Sequence, residues 1–161
     1  MKTATVNQLK KELNYRSEDE LLELCLRLSK FKKENKELLT YLLFEADNEE
    51  QYIEKVKQET ANQFEEINTG NYYWIRKSVR KILKNIKKHI RYSLKPETEI
   101  ELLVYFCIQL KDFTPSISKD KSLKNIQDRQ LAFIKNKLNA LHEDLQYDFR
   151  MLMENEGFSI L

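Results

Sequence analysis

The sequence predicts an all-α fold, in which residues 1–161 form a single domain of six or seven helices packed as antiparallel hairpins. Only two Gly and two Pro occur among 161 residues, which leaves few positions for tight turns. Charged residues make up 34% of the chain, as expected of helices with solvated outer faces. Apolar side chains recur at three- and four-residue spacing along most of the chain. The hairpins could form a HEAT-like array or an irregular bundle.

The first part of the chain is expected to contain three helices. Residues 3–13 form a short helix or arm, which we expect to cap later helices. Ser17 and Glu20 form a capping-box pattern ahead of a helix at 18–31. Residues 34–46 are apolar around most of the helix circumference, which predicts a central and buried position.

The middle of the chain is expected to contain three further helices. A Glu-rich helix at 48–68 ends near Gly70, which is well placed as a left-handed C-terminal stop. A basic helix follows at 71–93. Pro96 opens the next helix, 96–111, which is apolar on nearly every side and is therefore predicted to lie in the core.

The last part of the chain contains a predicted loop and a long helical segment. The loop spans about 112–121 and includes the only Thr-Pro-Ser sequence. The apolar spacing then predicts a helix over 122–155. This helix is either continuous or broken near 139–142, because its length exceeds that of a usual globular helix. An apolar tail at 158–161 is expected to fold back.

Two segments of the chain resemble each other. Residues 20–31 read ELLELCLRLSKF and residues 101–113 read ELLVYFCIQLKDF, with a one-residue offset. A pair of repeated helical hairpins would favour the HEAT-like arrangement. Leucine-rich amphipathic helices also resemble one another without repetition, so both interpretations stay open. Cys25 and Cys107 lie in these segments and are predicted to be buried free thiols.

The candidate binding surface lies on the basic helix at 71–93. Its apolar side chains share one face, which is predicted to dock on the core. Eight cations fill an opposite arc of about 140° with no acidic residue among them. Two aromatic residues accompany these cations. The resulting surface, which we call the basic face, consists of Tyr73, Trp74, Arg76, Lys77, Arg80, Lys81, Lys84, Lys87, Lys88 and Arg91.

Three interpretations of the basic face stay open. It is a solvated face, or one neutralised by the Glu-rich helix at 48–68; it binds nucleic acid; or it binds an acidic protein or an anionic membrane surface. Tyr92 is expected to project beside the cations and would add a stacking group. Cations four residues apart, such as Lys77 and Lys81, repel by roughly 0.2–0.5 kcal/mol per pair. That repulsion favours an external anion.

The sequence lacks the patterns that enzymes and metal proteins use. With two glycines far apart, no phosphate-binding loop exists. His89, His142 and the two cysteines show no metal-ligand spacing, so neither a metal nor a cofactor is predicted. Adjacent carboxylates on a helix diverge by about 100° and do not converge on one substrate atom. We therefore predict that the chain is not an enzyme and has no small-molecule substrate.

The segment LLELCLRLSKFKKENKELLTYLLFEAD at 21–47, together with YIEKVK at 52–57, resembles bacterial all-helical proteins to which no activity is attached. The similarity continues through the basic helix to Leu110. It implies a helical, cytoplasmic protein that is not secreted, and it implies no site or residue role. A looser similarity to HEAT-like arrays rests on the helix lengths.

These observations together predict a cytoplasmic, non-enzymatic binding or scaffolding module. No apolar run follows the initial Met-Lys, and no stretch approaches the roughly 18 apolar residues that a membrane span needs. The predicted partner is another protein or a second copy of this chain, contacted through the helix at 122–155 and the tail at 158–161. The alternative is sequence-nonspecific binding of nucleic acid by the basic face.

Overall fold

The computed structural model describes residues 1–159, and every regular element in that range is helical. The predicted all-α class is confirmed. The range contains eight α-helices, one more than the upper end of the prediction. The chain divides into two compact units, Met1–Phe44 and Glu45–Leu161, each of which is described by itself. The single domain over 1–161 stays a prediction.

The first unit is built from three helices, which are α1 (Val6–Leu13), α2 (Glu18–Phe31) and α3 (Lys33–Thr40). A capping box opens α2: the Ser17 side chain accepts a hydrogen bond from the Glu20 amide, and the Glu20 carboxylate accepts one from the Ser17 amide. The extended residue Lys32 alone separates α2 from α3. The two helices therefore form a tight hairpin.

A helix is formed at the predicted position, as α3 followed by a π-helical stretch at Tyr41–Glu45, but the central and buried position predicted for 34–46 is wrong. Tyr41 is buried, whereas α3 itself buries no side chain and Leu42, Leu43 and Phe44 are exposed. The apolar side of α1 is exposed as well, so the cap predicted for 3–13 is not formed. The reason is geometric: each helix of a two-helix hairpin presses only one side against the other. Apolar residues on its remaining sides stay in solvent.

The second unit contains the hydrophobic core. Its helices are α4 (Glu49–Glu65), α5 (Tyr72–Ser93), α6 (Pro96–Asp112), α7 (Lys121–Leu138) and α8 (Glu143–Asn155). Helix α6 packs against the other four, which confirms the burial predicted for 96–111. The buried residues of α6 are Thr98, Ile100, Leu102, Leu103, Val104, Phe106, Cys107 and Leu110.

The long segment predicted at 122–155 is two helices rather than one. Helix α7 ends at Leu138, and His142 caps α8, where its ring nitrogen Nδ1 accepts a hydrogen bond from the Asp144 amide at 3.4 Å. The break thus falls at the position that the sequence offered as the alternative. Phe158 is buried, as expected of the tail, whereas Ile160 and Leu161 lie outside the described residues.

Gly70 does not act as the predicted left-handed stop. Helix α4 ends at Glu65, and the Gly70 amide donates a hydrogen bond to the Asn68 side chain at 2.9 Å. Among residues 1–159, the left-handed backbone region is occupied by Leu94 and Gly157 instead. Leu94 ends α5, and its amide donates to the last turn of that helix.

Candidate binding surfaces

Helix α5 docks on the core by one side, as predicted. Ile75, Val79 and Ile86 are almost fully buried, and Ile82 and Ile90 lie on the same side. The spacing of these residues at three and four positions forms one continuous stripe. The apolar face of α5 is therefore packed inside the protein, and only its basic face is available for external contacts.

One edge of the basic face is held by residues at the start of α7. The Arg76 guanidinium donates to the Asp120 carboxylate at 2.6 Å, and Arg80 donates to the Ser122 hydroxyl at 2.9 Å. Asp120 is also the N-cap of α7, and it accepts the Leu123 amide at 2.9 Å. Although burial disfavours its charge, the hydrogen bonds from Leu123 and Arg76 hold the pKa of Asp120 below its usual value.

Six cations of the basic face form no ion pair with any residue from 1 to 159. They are Lys77, Arg80, Lys81, Lys84, Lys87 and Arg91, and all six are exposed. Among the carboxylates of α4, Glu54 pairs with Lys57, Glu49 pairs with Lys95, and Glu59 lies 3.6 Å from the His89 ring nitrogen Nε2. Direct ion pairing of these six cations with α4, one of the interpretations that the sequence left open, is therefore not formed.

The aromatic residues of the basic face lie at the N-terminal end of α5. Tyr73 and Trp74 are 59% and 42% exposed, and their ring centroids are 5.1 Å apart in an edge-to-face arrangement. The Lys77 ammonium lies 5.4 Å from the Trp74 ring centroid. Tyr92, which was expected to project beside the cations, is buried and packs edge-on against His89.

A second surface, on the first unit, is apolar. Large apolar side chains cover α1, α2, α3 and the residues that follow, and most of them are exposed, although Leu21 and Leu39 are half-buried and Tyr41 is buried. We call the exposed set the apolar surface; it consists of Val6, Leu9, Leu13, Tyr15, Leu22, Leu24, Leu26, Leu28, Phe31, Leu38, Leu42, Leu43 and Phe44. An apolar groove of about 280 Å³ runs between α2 and α3, and Cys25 and Leu39 line it with members of this set.

The sequence analysis missed the apolar surface because it assigned these side chains to a core. Cys25, predicted to be buried, is exposed. The signal was nonetheless present, since the apolar positions from Leu21 to Phe31 wrap about 220° of α2 by helical-wheel arithmetic. One neighbouring helix covers only part of such an arc. A helix of that pattern needs coverage from more than one direction.

Charge is unevenly distributed along the α2–α3 hairpin. The first half of α2 is acidic, with Glu18, Asp19, Glu20 and Glu23. The end of α2 and the start of α3 are basic, and the cations there are Arg27, Lys30, Lys32, Lys33 and Lys36. The hairpin therefore has an acidic end and a basic end flanking its exposed leucines.

The described residues show no arrangement suited to binding a metal ion, and one of the two thiols is inert. From 1 to 159, no three His, Cys, Asp or Glu side chains group in a way that could hold a metal ion. Burial raises the pKa of the Cys107 thiol to about 12, which suppresses its nucleophilicity. Within the same range, no helix combines the length and the apolar character that a bilayer crossing requires.

Comparison of this chain with protein-family models, with curated proteins and with solved structures yields no match.

Proposed function

We propose that this chain is a non-enzymatic self-association module, in which the first units of two copies cover each other's apolar surface. The observation that carries this proposal is the exposure of that surface over a unit of only 44 residues. Contiguous exposed apolar patches of this kind are characteristic of protein interfaces. The cytoplasmic location predicted from the sequence belongs to the same proposal.

The size of the apolar surface suits a dimer. Burying a Leu or aromatic side chain removes about 100–200 Å² from water, so the exposed fractions of the set correspond to roughly 800–1,500 Å² per chain. A standard protein interface takes about 800 Å² from each partner. A helical unit this small also rarely stabilises itself with a core of its own, and pairing with a second copy supplies one.

The charge distribution favours a second copy over an unrelated protein. A two-fold axis pairs a surface with itself, so an antiparallel arrangement sets the acidic start of one α2 against the basic end of the other. In a register centred on Leu24 and Cys25, Leu21 of one copy meets Leu28 of its partner. The charged side chains lie on the other side of α2, so the acidic and basic ends of the two helices attract each other only at longer range.

The contact predicted through the helix at 122–155 and its tail receives less support. Ile134, Leu138 and Met153 on α7 and α8 are buried within the second unit, and so is Phe158. The Lys111 ammonium lies 5.5 Å from the Phe158 ring centroid, which further covers that side chain. These residues already have partners inside their own unit, so the proposal rests on 1–44 instead.

Sedimentation equilibrium of the full chain over a hundredfold concentration range tests the proposal. We expect a monomer–dimer equilibrium that changes little between 0.05 and 0.5 M salt, because apolar contact dominates it. Leu28→Glu with Phe31→Glu should weaken the dimer by at least about 100-fold, since two exposed anchors become charged at each side of the interface. Both positions are exposed, so folding of the single chain should be preserved.

Tyr147→Glu is the matched control, because Tyr147 is an equally exposed aromatic residue on α8 of the second unit. It should leave the dimer intact. A wild-type chain that stays monomeric at 100 μM would overturn the proposal. The proposal would also be overturned if Tyr147→Glu disrupted the dimer while the variant with Leu28→Glu and Phe31→Glu still formed it. A hairpin covered instead by another segment of the same chain would give the first of these results.

A further inference from the structure

The free cations of α5 form a continuous track. Lys77 and Arg91 are 14 residues apart, which at 1.5 Å per residue is about 21 Å along the helix axis. The other unpaired cations, Arg80, Lys81, Lys84 and Lys87, lie between them within the same arc. A stacked nucleic-acid strand places one phosphate every 3.4 Å or so, and the track therefore faces about six phosphates.

The cations of the track repel one another, and none of them forms an ion pair with a carboxylate between residues 1 and 159. Lys77 and Lys81, Arg80 and Lys84, and Lys87 and Arg91 are like-charged pairs four residues apart, each of them destabilising in an isolated helix. Neighbouring carboxylates on α4 make their contacts elsewhere. A bound polyanion would neutralise all of these pairs at once, and it would release its own counterions on doing so.

The buried side of α5 argues against a membrane as the source of that anion. Helices that bind at a bilayer surface insert an apolar face below the headgroups. The apolar face of α5 is already packed in the core, where Ile75 and Val79 are fully buried. Lys and Arg without an accompanying apolar face bind lipid only through charge.

The exposed aromatic pair distinguishes a single strand from other polyanions. Tyr73 and Trp74 stand at one end of the cation track with their rings accessible, and Lys77 lies against the Trp74 ring. Unpaired bases stack on such rings, whereas the bases of a duplex are already stacked on each other.

We infer that the basic face of α5 binds single-stranded nucleic acid, with phosphates along the track from Lys77 to Arg91 and unpaired bases stacked on the exposed ring of Tyr73 or Trp74. Binding is independent of sequence, because phosphate contacts carry no base information. This inference goes beyond self-association and does not depend on it. Its residues lie on the second unit, and those of the proposed dimer lie on the first.

Fluorescence anisotropy of the full chain with labelled 20-mers of oligo-dT and oligo-U tests the inference at 50 and 150 mM salt. We expect saturable micromolar binding whose logarithm falls with log salt at a slope of roughly −3 to −4, as about five phosphate contacts would give. The tighter-binding oligonucleotide identifies DNA or RNA as the source of the strand. No binding at 50 mM salt would overturn the inference.

Two charge-reversal variants locate the site. Lys84→Glu with Lys87→Glu should lower the affinity at least 30-fold and make the salt slope shallower. Lys135→Glu with Arg150→Glu makes the same change in net charge at exposed positions on α7 and α8, and should lower it less than threefold. Equal losses in both variants would show attraction to overall charge only, and would overturn the assignment. Circular dichroism confirms that each variant is folded.

The stacking contact needs its own variant. Tyr73→Ala with Trp74→Ala should weaken oligo-dT binding about 10-fold and leave the salt slope unchanged, because stacking releases no counterions. Binding of a 20-base-pair duplex should be weaker than that of a single strand and should not respond to this variant. The inference would be contradicted if a duplex or heparin bound as tightly as a single strand and if the variant with Tyr73→Ala and Trp74→Ala bound oligo-dT with unchanged affinity. Tight binding to vesicles with 30% phosphatidylserine but not to oligonucleotides would also contradict it.

Discussion

Two segments of similar sequence lie in opposite environments in this protein. Residues 20–31 on α2 leave Cys25 and most of their leucines exposed, whereas residues 101–113 on α6 bury Cys107 and their leucines almost completely. Helix α6 is surrounded by four helices of its unit, while α2 belongs to a unit of three short helices. The same leucine pattern thus specifies a helix in both places, but only the number of covering helices decides which one is buried.

The largest expected effect on stability comes from exchanging the residue types at one aligned position, which is Glu23 in α2 and Val104 in α6. Val104→Glu should lower the free energy of unfolding by more than about 4 kcal/mol, because it puts an unpaired carboxylate in a packed core. Glu23→Val should change it only slightly. Urea unfolding followed by far-ultraviolet circular dichroism measures both. A loss below about 1 kcal/mol for Val104→Glu, or a large gain in stability for Glu23→Val, would contradict the difference in covering between the two helices.

The reactivity of the two cysteines measures the difference in burial between α2 and α6. With a pKa of about 12, against an ordinary value of 9.0, the Cys107 thiol carries roughly 1,000-fold less thiolate at pH 8. Cys25 should therefore react with a maleimide in the native protein, and Cys107 should react only after unfolding. Mass spectrometry of labelled peptides reads both sites. Under the proposed self-association, labelling of Cys25 should slow as protein concentration rises, whereas a rate independent of concentration would count against the dimer.

Substitution of Asp120 measures how much its contacts with Arg76 and with the start of α7 stabilise the second unit. Asp120→Ala removes the cap of α7 and the partner of Arg76, and should cost about 1–2 kcal/mol at pH 7. Because the folded-state pKa of Asp120 is lowered, its contribution is present above its ordinary value of 3.8 and is lost as the pH falls through the folded-state value. The difference between wild type and variant in thermal unfolding should therefore shrink below about pH 4. A difference that is constant down to pH 2 would contradict this assignment.

The smallest expected effect concerns the antiparallel arrangement proposed for α2. Asp19→Lys or Lys30→Asp alone should weaken the dimer by less than about threefold, because both side chains point away from the apolar contact and act only through the charge of the helix ends. Sedimentation at low salt measures both variants. A loss of more than tenfold in either one would contradict this arrangement.

Much of the second unit could be predicted from the sequence. The one-sided apolar stripe of α5 and the nearly continuous apolar surface of α6 each predicted the environment that the structure has, because each helix had enough neighbours to satisfy its pattern. The break between α7 and α8 was predicted only as an alternative. Periodicity continues across 139–142, so the spacing of apolar residues carries no sign of where the helix stops.

The candidate surfaces were predictable to different degrees. The basic face could be listed residue by residue, because helical periodicity alone places its cations in one arc. Whether α4 neutralises them could not be predicted, since that depends on which carboxylates come within about 4 Å of which cations. The apolar surface was assigned to a core for a related reason, because periodicity gives the direction of a side chain and says nothing of what lies opposite it.

The sequence by itself determined that the chain is helical, where most helices begin and which residues share a face. These properties follow from capping groups, propensity and spacing within a few residues, so they can be read from a short window. Only the tertiary structure decided that α6 is buried while α2 is exposed, that Arg76 alone of the first three cations has a carboxylate partner, and that Tyr92 is covered while Trp74 is not. Burial and pairing depend on segments far apart in the chain, and their arrangement is fixed by packing rather than by local pattern.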